Sequence, residues 1–360
     1  MRHRLDALRL RLADEGLDAV LISHPLNVAY ITGFESVFDD EDAHALAITQ
    51  EHASVFTDSR YRDAVTRAAA GTEWQIRAPR ANLYVNACDE LASLGVESLA
   101  VEESVPYGRF RFISGRFEGR VEAVDHWVEE IRQVKSADEL RRVEAAQTLT
   151  DRAFDHVLGL LRPGVSEKWI ALEIEMFMRR EGSDGVAFPA IVASGPNSAF
   201  PHAQATDRVL ENGDLVVMDF GARVEGYCAD MTRTVVIGKA SERQREVYDV
   251  VAAANEAGIA AVRAGVPGSG VDETARSLIE SRGYGENFGH GLGHGVGMAV
   301  HELPTVGPRG VKSLLAGSVI TIEPGIYIDG FGGVRIEDLV VVEDGSARVL
   351  TRSTKDLLEL

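Results

Sequence analysis

Two stretches of this chain read as copies of one another at a lag of about 101 residues, and that duplication limits the fold more than any single motif. One copy, LLRPGVSEKWIALEIEMFMRREGSDGVAF, starts at Leu160; the other, AVRAGVPGSGVDETARSLIESRGYGENF, starts at Ala261. Each runs helix, Arg-X-Gly-Val, helix, glycine, with Arg162 matching Arg263 and Gly182 matching Gly283. After each copy comes a stretch that reads as a hairpin carrying two acids. Asp219 to Thr234, DFGARVEGYCADMTRT, is flanked by apolar VVMD and MTRTVVI runs, with a turn near Glu225-Gly226. A two-residue loop at Val224 and Glu225 sets Asp219 opposite Asp230, with Cβ atoms about 4.5–5.5 Å apart. Moving the loop by one residue moves the pairing by two and leaves both acids on one face. In the second half, TIEPGIYIDGFGGVRIED carries Glu323 and Glu337. A three-residue loop at Asp329 to Phe331 makes these two partners and puts Tyr327 and Arg335 on their face.

Four carboxylates converging without cations would be prohibitively costly, so a metal centre is expected. A nitrogen ligand should complete it. The chain has ten histidines, and His290, His294 and His301 all fall in GHGLGHGVGMAVHE, just before the second hairpin. Its glycines disfavour a helix, which excludes the HExxH zinc arrangement; they let the backbone press close to a ligand instead. The same run lacks the strand, helix and lysine of a phosphate cradle, which sets nucleotide binding aside. His202, in SAFPH, precedes His301 by nearly the repeat lag and places one histidine of each half beside the same centre.

At 360 residues the chain is expected to hold two domains, and its 45% hydrophobic and 26% charged composition is that of a globular protein. A formal charge of -19 repels phosphate backbones and anionic lipid, which argues against nucleic-acid and membrane-surface roles. Two cysteines, Cys88 and Cys228, give no disulfide framework and suit a reducing compartment. The N-terminus is broken by charges, and no run approaches the ~20 apolar residues of a membrane span, so a cytoplasmic protein is expected.

The first third alternates element types. Leu5, Leu8 and Leu12 form one helical stripe; Asp18 to Ile22, HALAIT, ASVFTD, SLAVEE and RVEAVD read as strands; and helices are expected near Tyr84 to Leu94 and Tyr107 to Phe112. Ser136, with Glu139 three residues on, opens a long amphipathic helix. The boundary falls between residues 128 and 136, giving an α/β domain over 1–130 and a second domain over 131–360.

In their order, DFG with DMTRT eleven residues on, GHGVGMAVH, IEPGIY and VRIED resemble the pita-bread metallopeptidases. That family includes methionine aminopeptidase, aminopeptidase P, prolidase and the metal-free creatinases. The resemblance covers residue 136 to the end. The first domain is similar to the creatinase-type N-terminal domain of aminopeptidase P and prolidase, which favours the proline-specific branch. It implies an α/β creatinase-like domain followed by an α+β pita-bread domain with a pseudo-two-fold repeat. It also implies five metal ligands, Asp219, Asp230, His294, Glu323 and Glu337, with Asp230 and Glu337 bridging two divalent ions that hold a hydroxide. Manganese or cobalt is expected ahead of iron or zinc. Glu323 is the implied proton shuttle, and His202 and His301 contact substrate; His290 lines the pocket, while Tyr327 and Arg335 orient carboxylates.

The implied substrate is a peptide with proline second. Some prolidases carry an arginine directly after the HE-X-P segment, where this chain has Thr305, with Arg309 and Lys312 nearby. That favours a small aminopeptidase P, with an Xaa-Pro dipeptidase as the alternative. An idle peptide-binding homologue is the third reading, and the intact ligand set argues against it. A homodimer is implied, with the acidic segment 36–46 a candidate selector at the partner's site.

Overall fold

A computed structural model describes residues 2–34, 37, 38, 43–80 and 82–360. Much of the 36–46 segment thus lies outside the described residues. The chain divides into two compact units, Met1–Arg132 and Gln133–Leu360.

In the first unit, α1 (Arg2–Glu15) buries Leu5, Leu8 and Leu12, the stripe read from the sequence. Strands β1 (Ala19–Ile22), β2 (Ala45–Thr49) and β3 (Ala53–Phe56) are joined by α2 (Pro25–Thr32) and the short turn through Gln50. Then follow α3 (Arg62–Ala68), β4 (Gln75–Arg77), α4 (Leu83–Ser93), β5 (Ser98–Glu102), α5 (Tyr107–Arg116), β6 (Arg120–Val124) and α6 (Trp127–Gln133). The sheet order is β4-β3-β2-β1-β5-β6; β1 pairs antiparallel with β2 and parallel with β5. The sequence reading did not include α2, α3, β4 or α6. Pro25 stands in the first turn of α2, where a missing N–H costs nothing, and Gly33 closes it at φ 70°.

In the second unit, α7 (Ala137–Leu158) opens with the expected capping box of Ser136 and Glu139. After it come α8 (Glu167–Arg180), β7 (Gly185–Val186), β8 (Ile191–Ser194), β9 (Leu215–Phe220), β10 (Ala222–Val224), β11 (Tyr227–Cys228) and β12 (Met231–Val236). The second half repeats this plan. Helix α9 (Glu242–Ala261) has its own capping box, Ser241 and Gln244, and α10 (Gly268–Ser281) follows. Then come β13 (Gly293–Gly295), β14 (Glu302–Val306), β15 (Val319–Ile322), β16 (Gly325–Ile328), β17 (Gly332–Arg335), β18 (Asp338–Val342) and β19 (Ala347–Val349). The sheets run β12-β9-β8 and β14-β13-β15-β18-β19, with smaller ladders β11-β10-β7 and β16-β17.

The duplication is visible in the backbone. Gly182 and Gly283 sit beyond the second helix of each half at φ 101° and 84°, a left-handed conformation that glycine adopts without strain. Each half has its own core. Ile170, Ile174 and Met178 of α8 pack with Val192, Val216 and Met218, and Val271, Ala275 and Ile279 of α10 with Ile320, Ile322 and Val340. Each large side chain so buried is worth roughly 1.5–3 kcal/mol. Among the described residues no helix is long and apolar enough to cross a membrane.

The two hairpins differ in how their registers compare with expectation. In the second, Gly325 pairs with Arg335 and Ile322 with Asp338, the register that makes Glu323 and Glu337 partners. In the first, the turn lies one residue later than expected. Val224 pairs with Tyr227 and Asp219 with Thr232, so Asp230 is the diagonal neighbour of Asp219 instead of its partner. The cause is turn chemistry: both turn residues take positive φ, 47° at Glu225 and 79° at Gly226. A turn at Val224 and Glu225 would have forced a β-branched residue into that region. The shift is by two positions, so both aspartates remain on one face.

Candidate metal centre

Both hairpins break their ladders beside the acids: Asp230, Glu323 and Glu337 stand in the gaps between strands, Asp219 stays paired with Thr232 two residues before the gap at Gly221, and buried polar side chains from the long helices bond to the backbone there. Asn255 of α9 donates to the carbonyls of Ile322 and Ile336, the residues just before Glu323 and Glu337, at 2.9 and 3.3 Å. Thr150 of α7, the same number of residues past its capping serine, accepts from Ala222 N–H at 2.9 Å beside the first break. In the third segment, a Cβ on Gly293 would lie 2.1 Å from the Thr321 carbonyl, and one on Gly295 2.1 Å from that of Leu303. Glycine on both sides of His294 lets its strand press between its neighbours.

The imidazole of His294 is held by one nitrogen and presented by the other. A carbonyl can only accept, so Nδ1–H donates to Gly295 O at 3.1 Å, which leaves Nε2 facing Glu323 Oε1 at 3.3 Å and Asp230 Oδ2 at 3.6 Å. One ligand atom each from Asp230, His294 and Glu337 lie within 4.8 Å of one another. Glu337 accepts a 2.7 Å bond from the Thr232 hydroxyl, which itself accepts from Arg335 Nε at 3.0 Å. Arg335 also donates to Asp219 Oδ2 at 2.6 Å and to the Tyr327 hydroxyl at 2.8 Å.

This cluster is short of positive charge. Burial, with Glu337, Asp219 and Glu323 close by, pushes the Asp230 carboxyl well above its usual range. Burial likewise pushes up Glu337, beside Glu323 and Asp219, and raises Asp219 against the pull of Arg335. Glu323 goes the other way: burial opposes its ionisation, but the hydrogen bond and charge of His294 outweigh it and hold the carboxyl at about 2. His294 is raised in turn, since Glu323 overcomes the burial that disfavours an imidazolium. The buried Oδ1 atoms of Asp219 and Asp230 have no hydrogen-bond partner among the described residues. Hard oxygen donors, one imidazole nitrogen and two orphaned carboxylate oxygens fit divalent cations.

A cleft of about 490 Å³ opens over these groups. His202, His290, His294 and His301 line it together with all four acids and Arg335. The His301 ring stands edge-on to His294, with centroids 4.2 Å apart, and burial beside His294 lowers its pKa. Burial also lowers His290, whose Nδ1–H donates to Gly291 O at 2.8 Å; its Nε2 therefore accepts from Tyr327 at 3.1 Å. Tyr327, pushed up to about 12 by burial, stays protonated to make that bond. Of the two cations near Thr305, Arg309 lines the cleft and Lys312 is not among its lining residues. The sequence reading missed Thr232 and Asn255. Thr232 stood in plain view in DMTRT, but only the true register puts it opposite Asp219.

Residues 141–344 match the metallopeptidase family M24 model, and residues 4–134 match the creatinase/prolidase N-terminal domain. The chain belongs to metallopeptidase family M24. Among the relatives of this M24 chain is the "uncharacterized peptidase YqhT" of Bacillus subtilis, 39% identical over 99% of this chain and 100% of that protein. A solved Xaa-Pro dipeptidase from Bacillus anthracis superposes with a TM-score of 0.94 at 34% identity, covering 100% of this chain and 99% of that one. A solved X-Pro aminopeptidase from Thermotoga maritima gives a TM-score of 0.86 at 37% identity over 96% and 98%. The fold is thus an α/β creatinase-like domain and a pita-bread catalytic domain, and the M24 membership makes this chain a metallopeptidase.

Proposed function

We propose that this M24 chain hydrolyses the Xaa-Pro bond at peptide N-termini, as a small aminopeptidase P does. The observation that carries the reading is one cleft lined by four carboxylates, Asp230 and Glu337 buried and Asp219 and Glu323 half-buried, together with His294, His202 and His301, in which ligand atoms of Asp230, His294 and Glu337 lie within 4.8 Å of one another. Asp219, Asp230, His294, Glu323 and Glu337 would hold two divalent cations, manganese or cobalt ahead of iron or zinc, with Asp230 and Glu337 shared. Those cations would supply Lewis acidity at the scissile carbonyl and an activated water. Arg335 fixes Asp219, and Thr232 fixes Glu337, so neither carboxylate has to be oriented at the moment of reaction. The Glu323 carboxylate takes the proton of the attacking water and delivers it to the proline nitrogen, which must be protonated to leave. His301, its pKa lowered by burial, is a neutral N–H donor at pH 7, and with His202 it stabilises charge developing on the carbonyl oxygen.

One observation favours a second reading, the Xaa-Pro dipeptidase. Arg309 lines the cleft with no ion pair on its guanidinium among the described residues, and a carboxylate on the proline would find it. Mass spectrometry of the products from Ala-Pro, Ala-Pro-Ala and Ala-Ala-Ala, with manganese and after chelation, tests both readings. Metal-dependent alanine release from Ala-Pro-Ala supports aminopeptidase P. Cleavage of Ala-Pro alone supports the dipeptidase, and in that case Arg309→Met should raise KM for Ala-Pro. Failure to cut either proline peptide contradicts both and leaves an idle peptide-binding homologue. The reading includes a homodimer in a reducing, cytoplasmic setting, which analytical ultracentrifugation checks for the first part.

A further inference from the structure

His301 has a task that needs an aimed ring, yet no hydrogen bond to that ring exists among the described residues. It rests edge-on against His294. Its aim must come from the backbone that carries it, and that backbone is clamped at the next residue. Glu302 begins β14 and pairs with Gly295, the residue after His294. Its Oε1 accepts a 2.8 Å bond from Lys135 Nζ, and its Oε2 accepts from Ala299 N–H at 3.3 Å, inside the loop between the two histidines. Both partners of the ion pair are out of solvent, with side chains 1% and 4% exposed. Lys135 is fixed in turn: its ammonium also donates to Gln133 O at 3.2 Å, and its own N–H to Gly317 O at 3.0 Å.

The loop is shaped around this carboxylate. A Cβ on Gly297 would lie 2.3 Å from Glu302 Oε1, so only glycine lets the acid reach this deep into the loop. The Gly297 carbonyl accepts from Cys228 N–H at 2.8 Å, two residues before Asp230. A fully buried lysine–glutamate pair is a poor way to add stability, since desolvation consumes most of its attraction. Here it ties the residue after His301 to Ala299 in the loop that leads back to His294, and to Lys135.

We propose that Glu302, clamped by Lys135, is the positioning residue for His301, acting on the reaction only through that imidazole. The proposal rests on the role given to His301 above. The test uses the manganese-loaded full chain, with Glu302→Gln, Lys135→Met, His301→Ala and the His301→Ala/Glu302→Gln double variant. A misplacement of about 1 Å costs on the order of 100-fold in rate, so Glu302→Gln and Lys135→Met should each lower kcat to that extent. KM and the number of bound metal ions should stay near those of the parent. In the His301→Ala background, Glu302→Gln should add nothing further.

Losses that multiply in the double variant, or wild-type kcat in Glu302→Gln, would overturn the proposal. Lys135→Met/Glu302→Leu removes both charges together and avoids leaving one buried alone, and it should show the same kcat loss while remaining folded. If none of these variants folds, as read by circular dichroism, the pair is a stability element and the proposal fails. A parent chain that cuts neither Ala-Pro nor Ala-Pro-Ala would instead refute the proposed function and leave no His301 role to position.

Discussion

Thr232→Val removes one hydroxyl and almost nothing else, and that hydroxyl joins the two halves of the site. It accepts from Arg335 Nε at 3.0 Å and donates to Glu337 Oε2 at 2.7 Å, in a position with no solvent exposure. The bond from the charged Arg335 guanidinium contributes about 1.5–3 kcal/mol, the bond to the Glu337 carboxyl about 0.5–1.5 kcal/mol when that carboxyl holds its proton, and a buried donor left unpaired costs about 1–3 kcal/mol. Arg335 keeps its bonds to Asp219 and Tyr327, and valine preserves the shape, so the net loss is below the sum of both bonds. We expect the metal-free protein to lose about 2–4 kcal/mol. A carboxylate without its orienting partner should also bind metal roughly 10–100-fold more weakly. Urea denaturation of the metal-free chain reads the first quantity, and competition with a chromogenic chelator reads the second. A stability change below about 0.5 kcal/mol with unchanged metal affinity would refute the reasoning, since a surface-like substitution does no more.

Other expectations follow from the same site. Raised carboxyl pKa values at Asp219, Asp230 and Glu337 mean the folded, metal-free protein holds protons there that the unfolded chain has released. That stabilisation is full below the ordinary carboxylate pKa and is lost as pH rises toward the folded values, so metal-free denaturation midpoints should fall with rising pH above about 4. Cations binding to the same carboxyls should expel those protons, which calorimetry in buffers of different ionisation enthalpy would detect. Asp230→Asn should lose metal and Xaa-Pro cleavage together, and full activity in that variant would overturn the assignment of Asp230. Serine at Cys88 and Cys228 should leave metal-dependent activity largely intact, because both thiols are buried and neither faces the cleft; a large loss would show that one of them has been misread.

How much of this was legible in the sequence depended on distance along the chain. The duplication, the capping box at Ser136 and the second hairpin's register could be read because each is set by neighbouring residues, down to the three-residue loop at Asp329 to Phe331. The first hairpin was misread by one residue because counting ignored which residues tolerate positive φ; Glu225-Gly226 does and Val224 does not. Asn255 and Thr232 act on strands far away in sequence, and nothing in their own neighbourhood marks them. The Lys135–Glu302 pair joins residues 167 positions apart, and only Gly297, read as a general sign of close backbone approach, hinted at the carboxylate beside it.

The central claim is that five side chains on two related hairpins and one glycine-flanked strand form a dinuclear cradle. Equilibrium dialysis of the full chain against manganese, followed by elemental analysis, tests it most directly. The account predicts two ions per chain, both lost in Asp230→Asn. One ion per chain, or two that survive that substitution, would contradict it.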